Sequence, residues 1–223
     1  MAGKWNPVIE VQAQIVSQRT IATRQKAPAT QSQPGERHKQ KRAKMSANII
    51  ISYDGTNNED DAVALGRLFA GAGAEVALAY VRHAPEEDTS REILAQHEAE
   101  TLLERGTELL GNSEAARHVV TDRSTPEGLS KLAAQTGAEV LVFCSDSHTA
   151  KGHIGVGNSA QRLLNGGTTA VAIAPAGFAL QASHQVSRIG VVGDGSAQTT
   201  AELLAQSLGA DIGGGGEQNQ TPT

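Results

Sequence analysis

From Asn48 to Ala174 the chain alternates short apolar runs with longer amphipathic stretches. The first run, ANIIISYDG, stays apolar until it ends in Asp54-Gly55, as a strand buried on both faces does. The 3.6-residue period that follows predicts a helix over 59–72, with Ala62, Leu65, Leu68 and Phe69 on one face. Asn57 or Asn58 can cap it, acids fill its first turn, and Gly73 stops it. A second strand is expected over 74–81, and a long helix over 92–110 with Ile93, Leu94, Leu102, Leu103 and Leu109 as its inner stripe. The pattern continues with a strand over 116–121, a helix over 125–136 and a strand over 138–144. A short helix over 159–164 and a strand over 169–174, closed by Pro175, complete it.

Strand and helix alternate four times before a final strand. Parallel strands joined by right-handed crossovers give an open, doubly wound α/β fold: a five-stranded parallel sheet with helices on both faces. Ligands in such sheets sit at the carboxyl ends of strands, where the strand order reverses. Two segments stand at such ends: SYDGT after the first strand and CSDSHTAKGHIGVGNS after the fourth.

Composition supports the layered reading. Apolar residues make up 39% of the 223 residues but aromatics only 3%, so the core must be built from Ala, Val, Leu and Ile. The net charge of −5 divides unevenly. Residues 1–44 carry nine Lys/Arg against two Asp/Glu, and residues 45–223 carry ten against 22. The acidic body argues against a nucleic-acid partner. The basic leader, 1–44, is expected to be disordered, most clearly over 27–44. It reads as a targeting peptide, as a basic nucleic-acid-binding arm, or as sequence upstream of a true start at Met45; the third is favoured, because Met45-Ser46-Ala47 leads directly into a strand. The single cysteine, Cys144, excludes an internal disulfide and fits a reducing, cytoplasmic setting. No apolar run is long enough to span a bilayer, so no membrane partner is expected.

The stretch 188–212 repeats the first strand and helix. Asp194-Gly195-Ser196 echoes Asp54-Gly55-Thr56, and Gly209-Ala210-Asp211-Ile212 echoes Gly73-Ala74-Glu75-Val76. The expected organisation is therefore a leader (1–44), one domain (45–177), a partial second copy of one strand and one helix (178–212) and a disordered tail (213–223). A lone strand–helix unit cannot bury its own apolar face, so it must dock on the domain or on a partner.

Asp54, with Gly55, closes the first strand and is either a turn residue or an acceptor for a ribose or adenine group. Gly157 and Asn158 open the last helix of the domain, where free backbone N–H groups and the helix dipole favour an anion. Asn158 or Ser159 would also cap that helix. Asp146, Ser147 and His148 are sequence neighbours whose side chains diverge, which argues against a catalytic triad, and His148 and His153 read as solvated loop residues rather than metal ligands. Cys144 reads as a small core residue rather than a nucleophile. His83 stands where it can stack on a base or lie exposed.

The order of elements, SYDGT after the first strand, and GNSAQRLLNGGTTAVAIAP at the end resemble a universal stress protein domain over residues 47–175. That family belongs to the adenine-nucleotide α-hydrolase-like folds, and its nucleotide loop follows G-x2-G-x9-G-[ST]. On this chain the pattern falls on Cys144, Ser147, Gly157 and Asn158, with both spacings kept and one glycine retained. The resemblance implies an adenine nucleotide as ligand, ATP with or without Mg²⁺ or a relative of it, in a regulatory stress-response role. Asp54 would then meet the adenosine end and Val81 would offer backbone groups to the adenine. Ser147, Asn158 and Ser159 would meet phosphate, and Lys151 would add a charge. No catalytic residue is implied, so at most slow incidental hydrolysis is expected. The family's pairing habit implies a homodimer through the last strand, 169–174. The alternative is a homodimer that binds no nucleotide and acts through protein contacts, since Cys144 and Ser147 stand where glycines are usual.

Overall fold

Each apolar run becomes a strand of one sheet, and each amphipathic stretch a helix laid on it. The computed structural model describes residues 14–17, 47–56, 58–83, 85–180, 186–193 and 196–214. The first elements are β1 (Gln14–Ser17), β2 (Asn48–Ser52), α1 (Glu59–Gly71), β3 (Glu75–Arg82), α2 (Thr89–Leu110) and β4 (Arg117–Thr121). Then come α3 (Thr125–Thr136), β5 (Val140–Cys144), α4 (Asn158–Gly166), β6 (Ala170–Ala174) and a 3-10 turn over Phe178–Leu180. The chain closes with β7 (Arg188–Gly193), α5 (Ser196–Leu208) and β8 (Asp211–Gly214).

The sheet order is β4-β3-β2-β5-β6-β1-β7-β8. Strands β2 to β6 run parallel and form the expected five-stranded sheet. Alternation along β2 sets its two faces. Ile49, Ile51 and Tyr53 pack with α1, α2 and α5, whereas Ile50 packs with α3 and α4. Gly106 lets α2 sit low on the first face: a Cβ there would lie 2.4 Å from Leu78 Cδ2 and 3.1 Å from the Tyr53 ring.

The inner stripe of α2 differs from the one expected. Ala99, Leu103, Gly106 and Leu110 are buried, while Ile93 is 67% and Leu94 56% exposed. Steps of three and four residues carry the buried stripe back from Ala99 to Gln96 and Glu92. Glu92 is spent on Arg82, a residue 7% exposed at the end of β3, through a two-pronged ion pair at 2.7 and 2.8 Å. Hydrogen bonds from Arg82 and from the Glu86 N–H pull the Glu92 carboxyl down to about 2. The first turns of α2 are thus held to the sheet by charge, and the neighbouring apolar residues face away.

Three expectations about the chain ends change. The leader is not wholly without structure, because residues 14–17 form β1, which pairs with β6 antiparallel and with β7 parallel. Strand β6 is apolar throughout, and an open edge there would leave backbone groups unpaired. The β-branched pair Ile15-Val16 supplies the segment that covers it. The homodimer expected through this strand therefore has no free edge to use, since β5 occupies one side of β6 and β1 the other. The segment expected to hold one strand and one helix carries a second strand as well: β7 and β8 pair in parallel across α5, as β2 and β3 do across α1. The leader stretch 27–44, Met45, Ser46, Asn57, Asp194-Gly195 and the residues after 214 lie outside the described residues.

The chain after β6 is tied back to the domain. Asp61 of α1 is buried and accepts the backbone N–H groups of Gly177 and Ala179, each at 2.7 Å. Burial raises its pKa, although those two donors oppose the rise. Phe178, fully buried, seals the same corner, so the packed domain runs past residue 177.

Two outcomes follow from these ties. Val16→Pro removes an N–H from a strand paired on both sides. Hydrogen exchange should rise in peptides covering 170–174 and 188–193 and stay unchanged at 140–144; unchanged exchange at 170–174 would count against β1 as its neighbour. Asp61→Ala strands two backbone donors and should lower the unfolding free energy by about 1–3 kcal/mol in urea titrations.

Candidate functional site

The chain leaves β2 toward β3 on one side and returns to β5 on the other, so the strand order reverses at β2 and a crevice opens at its carboxyl end. Two cavities occupy that end. One, of about 480 Å³, is lined by Ser52 to Asp54, Thr56, Ala79 to Val81, His83 and Thr125. The other, of about 400 Å³, lies between the start of α1 and the loop after β5, and includes Asp54, Glu59, Cys144, Asp146, Ser147 and Gly157. Asp54 and Thr56 line both, so the two spaces adjoin at the end of β2. A further space, of about 520 Å³, lies at the opposite, amino ends of the strands, around Asn48, Glu75 and Ala138.

The wall after β2 is shaped by Glu59. The residue is 5% exposed, and its carboxyl accepts the backbone N–H groups of Asp54 and Gly55, the latter at 2.8 Å. Asp54 Oδ1 accepts the Thr56 N–H at 2.9 Å, closing a tight turn through Gly55 at φ 79°. Asn58 occupies the cap position of α1 without a side-chain capping bond, because Glu59 ties the entering chain instead. Burial, followed by the nearby Asp54 charge, pushes the Glu59 carboxyl up to about 8.

The opposite wall is the loop from Ser145 to Gly157. Ser145, 1% exposed, donates to the Ala174 carbonyl at 2.7 Å and accepts the Gly155 N–H at 3.2 Å. The Asp146 N–H donates to the Gly155 carbonyl at 3.0 Å. The loop is also joined to the segment after β6: the Gly152 N–H donates to Ala176 and the Ala176 N–H to His153. Gly155 has no room for a side chain, since a Cβ would lie 2.0 Å from Thr149 Oγ1. The turn at Gly157 then starts α4, and Gly157, rather than Asn158 or Ser159, is its cap residue. No side chain caps α4, so its first N–H groups lack intrahelical partners at the cavity where Gly157, Asn158, Ser159 and Ala160 line the wall.

Most of the residues singled out in the sequence meet here. Asp54, Cys144, Ser147, Gly157, Asn158 and Ser159 share the second cavity, and Val81 lines the first. Gly55 shapes the turn beside them. Lys151 lines neither space; its stem lies against Gly177, where a Cβ would sit 3.2 Å from Lys151 Cγ. His83 is exposed and within 3.1 Å of the Thr125 hydroxyl at the mouth of the first cavity. Cys144 is half-buried, and burial with the nearby Glu59 and Asp54 pushes its thiol up to about 12, which makes it a poor nucleophile. Glu59 and Ser145 carry no signal in the sequence reading, and Asp146 enters it only as part of a discounted triad. Acid in a first helical turn is ordinary sequence, and nothing in the spacing separates Glu59 from Asp60.

Among the described residues, no group of three or more His, Cys, Asp or Glu is arranged to hold a metal ion, and no helix is long and apolar enough to cross a membrane.

The family model "Universal stress protein family" matches residues 45–175. The chain belongs to the universal stress protein family. Among solved structures it is similar to a universal stress protein family member from Burkholderia pseudomallei, with 23% identity and a TM-score of 0.45 over 58% of this chain and 96% of that one. It is also similar to a universal stress protein in complex with cAMP, with 16% identity and a TM-score of 0.45 over 59% of this chain and 98% of that one. A third similar structure is the universal stress protein from Archaeoglobus fulgidus in complex with dAMP, with 14% identity and a TM-score of 0.44 over 57% of this chain and 97% of that one. No curated protein matches the sequence.

The raised Glu59 pKa sets a pH dependence. The folded state holds a proton that the unfolded state releases above about 4.5, so Glu59's contribution is fully present below that pH and is lost as pH rises through about 8. Glu59→Gln keeps an acceptor for both N–H groups and cannot ionise. Between pH 5 and pH 8.5 the stability of the variant, relative to wild type, should rise by at least ~1.4 kcal/mol, the equivalent of one pH unit of displacement. An unchanged difference in urea titrations at the two values would assign the loop's stability to something other than a neutral Glu59.

Proposed function

We propose that this chain is an adenine-nucleotide-binding universal stress protein, acting in regulation of a stress response in the cytoplasm, with no turnover beyond slow incidental hydrolysis. One observation carries the reading: two cavities meet at Asp54 and Thr56, one beside the end of β3 and the other facing the uncapped start of α4. The first suits a flat, weakly polar base, since it offers strand-end backbone at Ala79 to Val81 and a polar rim at His83 and Thr125. The second suits an anionic group, because unpaired N–H groups and the helix dipole converge there. Family membership supports placing one nucleotide across both. A homodimer through β6 is not part of the proposal, because its use would require β1 to leave the sheet.

Gly157 provides a test that spares the fold. Its φ is −70°, and a Cβ built there meets nothing within 4 Å, so Gly157→Val should fold with an unchanged melting temperature. The added side chain stands where the anionic group would approach. AMP or ATP at millimolar concentration should raise the melting temperature of the wild-type full chain and leave Gly157→Val unmoved. A wild-type melt that responds to neither nucleotide would sink the reading and favour action through protein contacts.

A further inference from the structure

Resting on the nucleotide reading of this cleft, we infer that Asp146, with Asp54, is a specificity determinant that restricts the ligand's anionic part to a single phosphate. The acidic side chains lining the two cavities are Asp54, Asp146 and the buried, neutral Glu59, and no Lys or Arg is among the described residues that line them. The one lysine of the loop, Lys151, has its stem against Gly177 and outside both linings. What the cleft offers an anion is therefore the start of α4, a seat of partial charge that acts over about one helical turn. Its N–H groups can serve one phosphate.

Further phosphates would share the second cavity with Asp54 and Asp146, side chains of their own sign. Asp146 is held in place on three sides: its N–H bonds Gly155, its carbonyl accepts Thr149 N–H at 2.9 Å, and its Oδ1 accepts His148 N–H at 3.1 Å. Asp54 is held by the Thr56 N–H. Neither carboxylate is neutralised by an ion pair among the described residues. Like charges without an intervening cation oppose binding, and each added phosphate increases that opposition. Cys144 and Ser147 act in the same direction through space, since each projects a side chain into the wall of the second cavity. A nucleoside monophosphate meets the helix start with its one anionic group and leaves the acidic rim to water.

Titration calorimetry on the full chain with adenosine, AMP and ATP in EDTA tests this. Wild type should bind AMP at least about tenfold more tightly than ATP. Asp146→Asn keeps an acceptor for the His148 N–H and removes the charge, so it should narrow that ratio by about threefold or more. Asp146→Lys should narrow it further or invert it. Equal or tighter binding of ATP by wild type, or a ratio unmoved in both variants, overturns the inference while leaving nucleotide binding intact. Adenosine bound as tightly as AMP overturns it by removing the single-phosphate seat. Binding of none of the three overturns the nucleotide reading itself, and this inference with it.

Discussion

Strand β2 is the constraint on which the rest depends. It is hydrogen-bonded on both sides, to β3 and β5, and its side chains are buried on both faces. The chain that follows β2 turns into α1 on one face, while the chain that follows β5 passes to α4 on the other. The two carboxyl ends must therefore part, and backbone groups there lose the ladder that satisfied them. Glu59 satisfies two of them, at Asp54 and Gly55, and Ser145 satisfies Gly155. The first N–H groups of α4 have no such side-chain partner. The cleft's chemistry is this difference between a satisfied wall and an unsatisfied one.

Holding the wall has an electrostatic consequence. A carboxyl buried as deeply as Glu59 favours its neutral form, and the Asp54 charge beside it pushes the same way. The two backbone donors pull in the other direction without overcoming burial. Burial, with the same acids nearby, raises the Cys144 thiol, so the side chain at this loop position is chemically quiet as well as bulky. Packing and electrostatics thus agree at this position: the wall is made to stand still rather than to react.

Strands β2, β3, β5 and β6 were legible because buried parallel strands are short apolar runs. The caps were less legible. Gly157 starts α4, although Asn158 and Ser159 are the better capping residues by type, because the loop from Ser145 must reach its hydrogen bonds at Gly155 and Ala176 before it can turn. The stripe of α2 could not be read from hydrophobicity alone, since its first turns are fixed by the Arg82–Glu92 pair, and charge pairing across two elements leaves no periodic trace. Strand β1 was hidden for a similar reason. Two β-branched residues in a polar leader mean little until an apolar edge is present to receive them.

That edge also separates the molecule's two concerns. From β1 onward the strands run opposite to β2–β6, and reversing both the strand direction and the direction in which the crossover steps along the sheet preserves its hand. This is why α5 lands on the same face as α1, and why Ala197, Ala201 and Leu204 join the cluster that contains Ile49 and Leu65. The unit β7-α5-β8 thus finds its missing core in the domain rather than in a copy of itself. The ligand cleft, however, is framed by β2, β3 and β5, with β6 standing between it and the seam at β1. Ser145, bonded to Ala174 at the end of β6, ties the wall of the cleft to the strand beside the seam.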